Sequence, residues 1–502
     1  MRIALIYAGT GDAGRNAASG LSMPPLGLPL LAALTPSGHD IVILDDSRRQ
    51  IRFGERGVDA LATSTHGQDA HGLKTHGQNA HGQEAGATEF DLVGISALTP
   101  TAERAYELAD EFRRRGAKVV LGGLHVTTLP DEAASHADGI VIGEADELWS
   151  QVVEDVEQGR LRPRYEAAQP AALVGLPAPR WDLLPRGLYH PLRVIETTRG
   201  CPHWCEFCVV PRYFGTAFRH RPLDEVEREL RAYFPRPHAL FDRLRRWMPV
   251  RSNVPHFVGK RLLYIVDNNV IGDRRYARDL FDLLRDVDLR WIGHAPITIA
   301  DDADLLRRCR ESGCLALNVG FESLDQEALD AMGKPFNRAA DFERSVEAIH
   351  RQGIGIFGTF VVGLESDTPE TFERIVEFAE RVRLEVAFPL VLAPLPGTDL
   401  FERYDREGRL IERRWRDYDS GSVVFRPRRM GTRQLFDGQR AAFERLFSLG
   451  SIRKRVLRRP SVHPLFFLMV NREFRGKIKH IRRAWAPPPD LPPWEGNHKA
   501  EG

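Results

Sequence analysis

Short apolar segments alternate with amphipathic ones over the first part of the chain. Five segments have the β-branched, apolar composition of buried strands: Arg2–Tyr7, Ile41–Leu44, Leu92–Ala97, Lys118–Leu121 and Gly139–Ile142. Between them, Thr101–Arg115 and Ala145–Val156 carry apolar residues at helical spacing. This alternation predicts an α/β fold, a doubly wound parallel sheet with helices on both faces, in a domain of residues 1–160.

A second series of apolar segments follows a proline-rich linker over residues 161–190. The predicted strands are Leu192–Thr198, Arg261–Val266, Arg290–Gly293, Leu315–Gly320, Gly355–Val362 and Glu385–Leu392. Six strands separated by helical segments predict a partial (β/α)6 barrel over residues 191–425. One helix has Thr368 as its expected cap, Pro369 at its first position and an apolar stripe that predicts core packing: Phe372, Ile375, Val376, Ala379 and Val382.

Small and polar residues gather where the strands of the first domain end. They are Ser96, Thr99, Gly122, Gly123, His125, Gly143 and Glu144. Ligands of parallel α/β sheets bind beyond the carboxyl ends of the strands, which makes these residues binding candidates. Glycine is also the usual residue of a tight turn, so the pattern alone leaves both interpretations open.

Three cysteines follow the first predicted barrel strand. Cys201, Cys205 and Cys208 are spaced C-x3-C-x2-C, and three thiolates can hold three irons of a 4Fe–4S cluster while the fourth iron stays open. A zinc site normally has four Cys or His ligands. The further candidate, His203, lies inside the first cysteine gap, where the chain would have to fold back sharply. An iron–sulfur cluster is favoured, with zinc or three unrelated core cysteines as alternatives.

The cysteine loop and its position after a strand resemble those of the radical SAM enzymes. The resemblance implies that S-adenosylmethionine binds the open iron and is cleaved to a 5′-deoxyadenosyl radical. It also implies SAM contacts: Phe207 near the adenine, Glu322 and Ser323 near the ribose and carboxylate, and Val361 and Gly363 near the adenine. Asp267 and Asn268 stand where the family often has a Gly-Gly-Glu motif for the SAM amino group, which is replaced here.

The first domain resembles the cobalamin-binding domain that precedes many radical SAM cores. The resemblance rests on Pro24–Leu28, on the Gly122-Gly123-x-His125 turn and on Gly143-Glu144, and implies that the strand-end residues hold the nucleotide tail of a corrinoid. The D-x-H-x-x-G motif that supplies an axial histidine is missing, since the nearest string, 69–74, ends in Lys. We expect cobalamin in a base-off form, with a domain that has lost the cofactor as the alternative.

Residues 63–88 form a low-complexity insertion. His66, His71, His76 and His81 recur every five residues, a step that does not place them on one helical face. The segment is rich in glycine and poor in large apolar side chains, which predicts a surface insertion. Metal binding by the repeat stays an alternative, and no function is assigned to it.

Composition narrows the setting. The chain has 502 residues with 70 basic and 69 acidic side chains, a net charge of +1 that indicates no partner class. Five cysteines, none before Cys201, argue against a disulfide framework. Cys309 and Cys314 fit buried packing positions. No signal peptide and no apolar run of transmembrane length is found, so a cytoplasmic location is expected.

The C-terminal region, residues 426–502, is basic and predicted to be helical. Residues 426–483 carry 17 Lys and Arg against three acidic residues, around the apolar patch Leu465–Val470. This pattern suits a peripheral contact with the inner face of a membrane. Nucleic acid is a less favoured partner, and a solvated helical subdomain is the third interpretation. Residues 484–502 are proline-rich and expected to fray.

These features together predict a cobalamin-dependent radical SAM methyltransferase acting on an unactivated carbon of a small-molecule or isoprenoid lipid substrate. The region from Glu407 onward resembles the hopanoid C-2 methylases, which gives the lipid hint. A flavodoxin or ferredoxin is the expected electron donor. The alternatives are a radical SAM cyclase or rearrangement catalyst, and a corrinoid-binding sensor that would not need the three-cysteine loop. No catalytic acid or base is identified.

Overall fold

The computed structural model describes residues 1–11, 23–54, 57–59, 89–184, 188–189, 192–234, 261–457, 463–484 and 487–495. They form two compact units. The first contains residues 1–11, 27–167 and 179–184, and the second contains residues 23–26, 168–178 and those from 188 onward. The His-rich insertion over 63–88 lies outside the described residues.

The first unit is built on a parallel sheet of six strands in the order β2-β1-β5-β6-β7-β8. The strands are β1 (Arg2–Tyr7), β2 (Asp40–Asp45), β5 (Leu92–Ser96), β6 (Lys118–Gly122), β7 (Gly139–Ile142) and β8 (Arg164–Glu166), beside an antiparallel ribbon of β3 (Arg52–Gly54) and β4 (Gly57–Asp59). The helices are α1 (Gly27–Leu34), α2 (Ala102–Arg114), α3 (Leu124–Thr128), α4 (Pro130–Ala134) and α5 (Trp149–Glu157). The predicted doubly wound sheet is confirmed.

Gly94 determines how closely α5 packs on this sheet. A side chain at Gly94 in β5 would come within 2.9 Å of the indole of Trp149. Trp149 is 2% exposed and belongs to the core with Leu5 and Leu92. Strand order reverses between β1 and β5, and ligand crevices of such sheets form at this reversal, beyond the carboxyl ends of the strands.

The second unit contains a six-stranded parallel sheet in the order β16-β15-β14-β13-β12-β9. Its strands are β9 (Arg193–Ile195), β12 (Leu262–Ile265), β13 (Arg290–His294), β14 (Cys314–Glu322), β15 (Gly355–Val362) and β16 (Val386–Val391). The helices are α6 (Val210–Phe214), α7 (Leu223–Tyr233), α8 (Arg274–Val287), α9 (Ala303–Glu311), α10 (Gln326–Ala331), α11 (Phe342–Arg351), α12 (Thr371–Val382) and α13 (Asp399–Arg406). This sheet is the wall of the expected partial barrel.

Two details differ from the sequence prediction. The segment 192–198 is not one strand: β9 ends at Ile195, and β10 (Thr198–Arg199) pairs with β11 (Arg219–His220) in a separate antiparallel ribbon. Helix α12 begins at Thr371 rather than after Thr368, because the backbone N–H of Thr368 donates to the Thr371 hydroxyl in a turn that precedes the helix. The predicted stripe of α12 is otherwise buried, with Val382 half-buried.

The two faces of the barrel sheet have different surroundings. One face packs on the helices, as Trp291 stacks on Phe281 of α8 and Phe321 contacts Phe342 of α11. The opposite face, here called the inner face, alternates with it along each strand. Its residues are partly exposed toward the carboxyl ends of the strands: His294, Asn318, Gly320, Thr359, Val361, Phe388 and Leu390. This accessible end is where barrel enzymes place their chemistry.

The C-terminal region is packed on the barrel. It comprises α14 (Thr432–Leu446), α15 (Leu449–Ile452), a π-helical turn (Arg453–Leu457) and α16 (Pro464–Ala484). Phe467 is fully buried against Gly355, where any side chain would lie 2.1 Å from its ring. Part of the apolar patch expected at a membrane therefore serves as core. No helix in the described residues has the length and apolar character needed to cross a membrane.

The described segment 487–495 is also held in place. Within the described segment 487–495, the Trp494 N–H donates to the Pro427 carbonyl over 2.7 Å and the Leu491 carbonyl accepts from Thr432 N over 3.0 Å. The guanidinium groups of Arg409 and Arg428 lie 5.0 and 4.8 Å from the centre of the Trp494 ring. The expected fraying is wrong for this segment.

Candidate cluster loop, cofactor sites and substrate cleft

The cysteine loop begins at a glycine that no other residue can replace without movement. Gly200 has φ of +93°, and a side chain there would lie 2.2 Å from the Ala217 carbonyl oxygen. The next residue, Cys201, donates its N–H to the Gly215 carbonyl over 3.3 Å. Cys208 N–H donates to the Cys205 carbonyl over 3.1 Å. The protein's own backbone contacts therefore hold the loop.

The three thiols form one electrostatic group. Burial is the main factor that raises the pKa of Cys205 to about 12, and the neighbouring Cys208 and Cys201 act in the same direction. Burial likewise raises the pKa of Cys208. Bound metal cations keep such buried sulfurs deprotonated. No group of three or more metal-binding side chains in the described chain is arranged for a single ion; three thiols around a larger cluster fit a 4Fe–4S group.

An ion pair lies beside the thiols. Lys334 Nζ is 2.5 Å from Glu322 Oε1. Burial lowers the pKa of Lys334, but the neighbouring Glu322, Cys205 and Cys208 raise it by more, so the net shift is upward. The ammonium is 5.8 Å from the centre of the Phe207 ring. Glu322 has φ of +63°, a conformation that costs about 1–3 kcal/mol and concentrates at functional sites. The Asn337 amide fixes this strand end by donating to the Gly320 carbonyl over 2.9 Å.

Of the two candidate residues after β12, Asp267 is engaged in hydrogen bonds within the protein. The Asp267 carboxylate is buried and accepts from Thr197 N at 2.6 Å, Thr197 Oγ1 at 2.5 Å and Thr198 Oγ1 at 2.8 Å. It thereby fixes the chain between β9 and the cysteine loop, and no contact of its own points to a SAM group. Asn268 is exposed, and its SAM contact stays a prediction.

Phe207 lines a cavity of about 680 Å³ together with Met332, Leu364, Leu392 and Leu400, whereas Val361 and Gly363 are not among its lining residues. Gly363 has φ of +94°, and its N–H and that of Leu364 both donate to Asp367 Oδ2 at 2.9 Å. Val361 precedes Gly363 by two residues and lies on the inner face of β15. Ser323 accepts from Asp325 N over 3.1 Å and so starts the turn before α10.

The inner face carries a polar row that the sequence prediction did not include. Asn318 Nδ2 donates to the Tyr264 hydroxyl over 2.8 Å, and that hydroxyl lies 2.9 Å from His294 Nε2. The three side chains come from β14, β12 and β13. The sequence did not indicate this row because His294 lies one residue beyond the predicted strand Arg290–Gly293, so its place on the inner face depends on where the strand actually ends. Lys334 was missed for another reason, since it follows a helix.

At the carboxyl ends of the strands in the first unit, where the cofactor is expected, glycines leave the backbone uncovered by side chains. Gly123 has φ of +100° and would clash with the Ala97 carbonyl if it carried a side chain. Gly143 has φ of +78° and open space around it. Ser96 is half-buried and adjoins Gly123, while Thr99 and Glu144 are buried.

His125 does not stand as an axial ligand. Its ring is completely buried, with Nδ1 3.3 Å from Thr99 Oγ1 and Nε2 3.4 Å from Glu132. Backbone turns with room above Gly143, and a histidine occupied inside the protein, fit a corrinoid bound without protein histidine ligation.

Comparison with known proteins agrees with this geometry. Residues 14–153 match the B12 binding domain family, and residues 251–379 match the Radical SAM superfamily. The cysteine loop precedes the second match. A three-cysteine loop at the first strand of a partial barrel, in one chain with a corrinoid-type domain, defines a cobalamin-dependent radical SAM enzyme.

The relatives specify the branch. The chain is 30% identical to bacteriochlorophyllide d C-8(2)-methyltransferase of Chlorobaculum tepidum, over 67% of this chain and 73% of that protein. It is 26% identical to the C-12(1)-methyltransferase of the same organism, over 78% and 82%, and 29% identical to hopanoid C-2 methylase of Rhodopseudomonas palustris, over 58% and 53%. The chain belongs to the radical SAM enzymes with a B12-binding domain, in a branch whose named relatives include these methyltransferases.

The fold is shared with a solved structure. The radical SAM methyltransferase TsrM from Kitasatospora setae, with cobalamin and a 4Fe–4S cluster bound, aligns with a TM-score of 0.60 over 96% of this chain and 99% of that one, at 17% identity. This likeness shows the fold. The matches to the B12 binding domain and to the Radical SAM superfamily indicate that the cofactors are a 4Fe–4S cluster, S-adenosylmethionine and cobalamin, and the expected resemblance to the hopanoid methylase group is confirmed.

Proposed function

We propose that the enzyme methylates an unactivated carbon of a large, mainly apolar ring substrate of the tetrapyrrole class. The observation that carries the proposal is the division of the inner face. The β12–β14 side presents the polar row of Tyr264, His294 and Asn318, whereas the β15–β16 side presents Val361 and Leu390. A flat ring with polar groups at one edge matches a sheet face divided in this way. The bacteriochlorophyllide relatives, which align over more of both chains than the hopanoid relative, support the same class.

The chain's own residues hold the reacting groups in place. When bound, the cluster with S-adenosylmethionine supplies a carbon-centred radical and cobalamin supplies a transferable methyl group. Gly200 and Asp267 fix the cysteine loop, and we assign the nucleoside of S-adenosylmethionine to the cavity between Phe207 and Leu364. Lys334 and Glu322 place opposite charges beside the thiols. The apolar wall excludes water, which limits side reactions of a radical.

Product stoichiometry tests the reaction type. Methylation uses two S-adenosylmethionine molecules differently, so turnover should give 5′-deoxyadenosine and S-adenosylhomocysteine in about equal amounts. Bacteriochlorophyllide d and a desmethyl hopanoid should be offered separately. Deoxyadenosine without matching homocysteine product would refute methyl transfer and favour a cyclase or rearrangement catalyst. Methylation of the hopanoid alone would overturn the tetrapyrrole class.

A one-electron donor of the flavodoxin or ferredoxin kind is part of the proposal. Trp204, next to Cys205, is 48% exposed. Its ring nitrogen donates to Asp399 over 3.0 Å, and the Arg212 guanidinium lies 4.6 Å above its ring. A fixed, exposed aromatic beside the cluster loop suits docking of such a donor. Trp204→Ala should slow turnover with flavodoxin and leave dithionite-driven turnover unchanged; equal loss with both reductants would reject the docking role.

A peripheral membrane contact is the finer proposal for the C-terminal region. Leu465 and Met469 of α16 are 65% and 50% exposed, and Arg453 and Lys454 nearby in sequence are exposed bases. Anionic liposomes should retain the protein at low salt, less so as salt screens the charges. The double variant Leu465→Ser with Met469→Ser should lose this retention, while Lys118→Ser in the first unit serves as the control. Equal retention of both would reject the contact.

A further inference from the structure

The polar row on the inner face has a defined direction of hydrogen bonding. Asn318 supplies an N–H to the Tyr264 oxygen, which leaves the single hydroxyl hydrogen of Tyr264 free to point at His294 Nε2. We assign the tautomer in which Nε2 accepts from the Tyr264 hydroxyl and Nδ1 carries the ring proton. Burial lowers the pKa of His294 to about 4, so the imidazole is neutral near pH 7.

The other ring nitrogen of His294 is available to a ligand. Among the described residues, Nδ1 makes no hydrogen bond, and this atom does not belong to the buried polar atoms that lack a partner. His294 is partly exposed, as is Asn318. A neutral imidazole whose tautomer is fixed by a tyrosine presents one N–H donor in one direction, which is an arrangement suited to recognition.

The row also lies on the accessible half of the barrel. His294 is paired in register with Asn318, and Tyr264 is paired with Ile292, so the three side chains come from adjacent strands of one face. Phe467 closes the same face at the opposite end, against Gly355 and Phe357. A substrate that enters this face therefore meets the row and not the amino ends of the strands.

We propose that Tyr264, His294 and Asn318 form the substrate-positioning element of this enzyme, in which the His294 Nδ1–H binds an acceptor oxygen at the edge of the ring substrate. The proposal rests on the proposed function and deepens it by naming the group that the site recognises. His294 is the contact residue; Tyr264 and Asn318 are positioning residues that act through it. Binding of the oxygen fixes which carbon of the ring lies nearest to the cofactors.

Two histidine variants separate this role from a structural one. In His294→Asn the side-chain N–H can take the place of Nδ1–H, whereas in His294→Gln the amide lies where Nε2 was. Asparagine should therefore keep the donor to the substrate and glutamine should lose it. Tyr264→Phe frees the tautomer and should behave like the glutamine variant. Tyr418→Phe is the matched control, because Tyr418 is a buried tyrosine with one hydroxyl hydrogen bond, to the Glu412 carbonyl, and it belongs to no strand of the sheet.

The probes are bacteriochlorophyllide d, which has a carboxylate and a ketone at its edge, and magnesium octaethylporphyrin, whose edge carries only alkyl groups. Holoenzyme should bind the first roughly tenfold or more tightly than the second, the effect of one well-placed hydrogen bond. His294→Asn and Tyr418→Phe should keep this ratio, and His294→Gln and Tyr264→Phe should bring it near one. Iron per chain after reconstitution should match wild type in all variants, which shows an intact cluster, and Tyr418→Phe should also keep the wild-type rate of reductive cleavage of S-adenosylmethionine without substrate.

The outcomes are distinguishable. If the wild-type enzyme binds neither probe, the tetrapyrrole class fails and the positioning role fails with it. If it binds bacteriochlorophyllide d with the expected preference and His294→Gln keeps that preference, only the positioning role is overturned. For methylating enzyme, His294→Gln should also raise the amount of 5′-deoxyadenosine formed per methylated product, since a misplaced ring intercepts the radical poorly.

Discussion

Replacing Gly200 by alanine separates the backbone fit of the cysteine loop from metal ligation. Gly200 carries no ligand, yet it determines where Cys201 begins. Its φ of +93° is unfavourable for any residue with a side chain, and its added carbon would lie 2.2 Å from the Ala217 carbonyl oxygen. Gly215 in the same loop has φ of +77°, and the nearest atom to its added carbon is Pro170 Cγ at 3.9 Å. Both variants therefore carry the strain of a positive φ, but only Gly200→Ala adds a clash with the backbone.

The magnitudes follow from this difference. A left-handed conformation costs an alanine roughly 1–2 kcal/mol, which both variants bear. In Gly200→Ala the loop must also move by about 1 Å to reach ordinary contact, and a displacement of that size at a reacting centre lowers rates about 100-fold. We expect reductive cleavage of S-adenosylmethionine to fall about 100-fold in Gly200→Ala and less than about tenfold in Gly215→Ala.

The assay measures iron per chain after reconstitution and 5′-deoxyadenosine formed with dithionite. Circular dichroism of both variants checks that the barrel is folded. If Gly200→Ala cleaves S-adenosylmethionine as well as Gly215→Ala does, the clash does not displace the loop and the reasoning is refuted.

Four further predictions follow from other contacts. Cys205→Ala, like each loop cysteine variant, should abolish reductive cleavage, while Cys309→Ala should keep it because Cys309 is a buried packing residue. Arg455→Met should lower the free energy of unfolding in urea by at least about 3 kcal/mol, since the buried guanidinium donates to the Leu384, Glu385 and Leu446 carbonyls. His125→Ala should leave the base-off cobalamin spectrum unchanged. Burial raises the pKa of Asp367 to about 6. The free energy of unfolding of Asp367→Asn, compared with that of wild type, should therefore rise by about 1 kcal/mol between pH 5 and pH 7.5.

The sign of the Asp367 effect comes from proton linkage. The folded pKa lies above the unfolded value of about 3.9, so this group favours the folded state most at low pH and loses that contribution as pH rises through 6. Asparagine can accept the same two N–H groups at any pH. An unchanged stability difference across this range in urea titrations of the apo chain would contradict the assignment. For Arg455, stability within 1 kcal/mol of wild type would show that the carbonyls find water instead.

Much of the strand content was predictable because it depends on local pattern. The five predicted strands of the first unit end within one residue of the observed ones, as continuous apolar runs bounded by glycine leave little choice. The cysteine loop was recognisable from spacing. Helix α12 was misplaced by a few residues, because Thr368 forms a turn with Thr371 that has the same sequence signature as a cap.

Features made by distant residues could not be predicted in this way. The Tyr264–His294 contact joins residues 30 positions apart, and its meaning depends on strand register. The patch Leu465–Val470 has the composition of a membrane contact, yet Phe467 fills the space left by a glycine more than 100 positions earlier. Likewise Trp494 is held by arginines from other segments, so its proline-rich surroundings misled the prediction.

The contacts of the C-terminal region with β16 have a consequence for synthesis of the chain. β16 is the last strand of the sheet, and its backbone is completed from outside: Gln439 donates to the Pro389 carbonyl, and Asn471 donates to that of Glu385 just before the strand. Unpaired strand edges attract other strands. When β16 has emerged from the ribosome, its unpaired edge therefore stays exposed to other strands until α14 and α16 have been synthesised. Truncated products that stop before residue 471 should accumulate in inclusion bodies rather than as free-standing barrels.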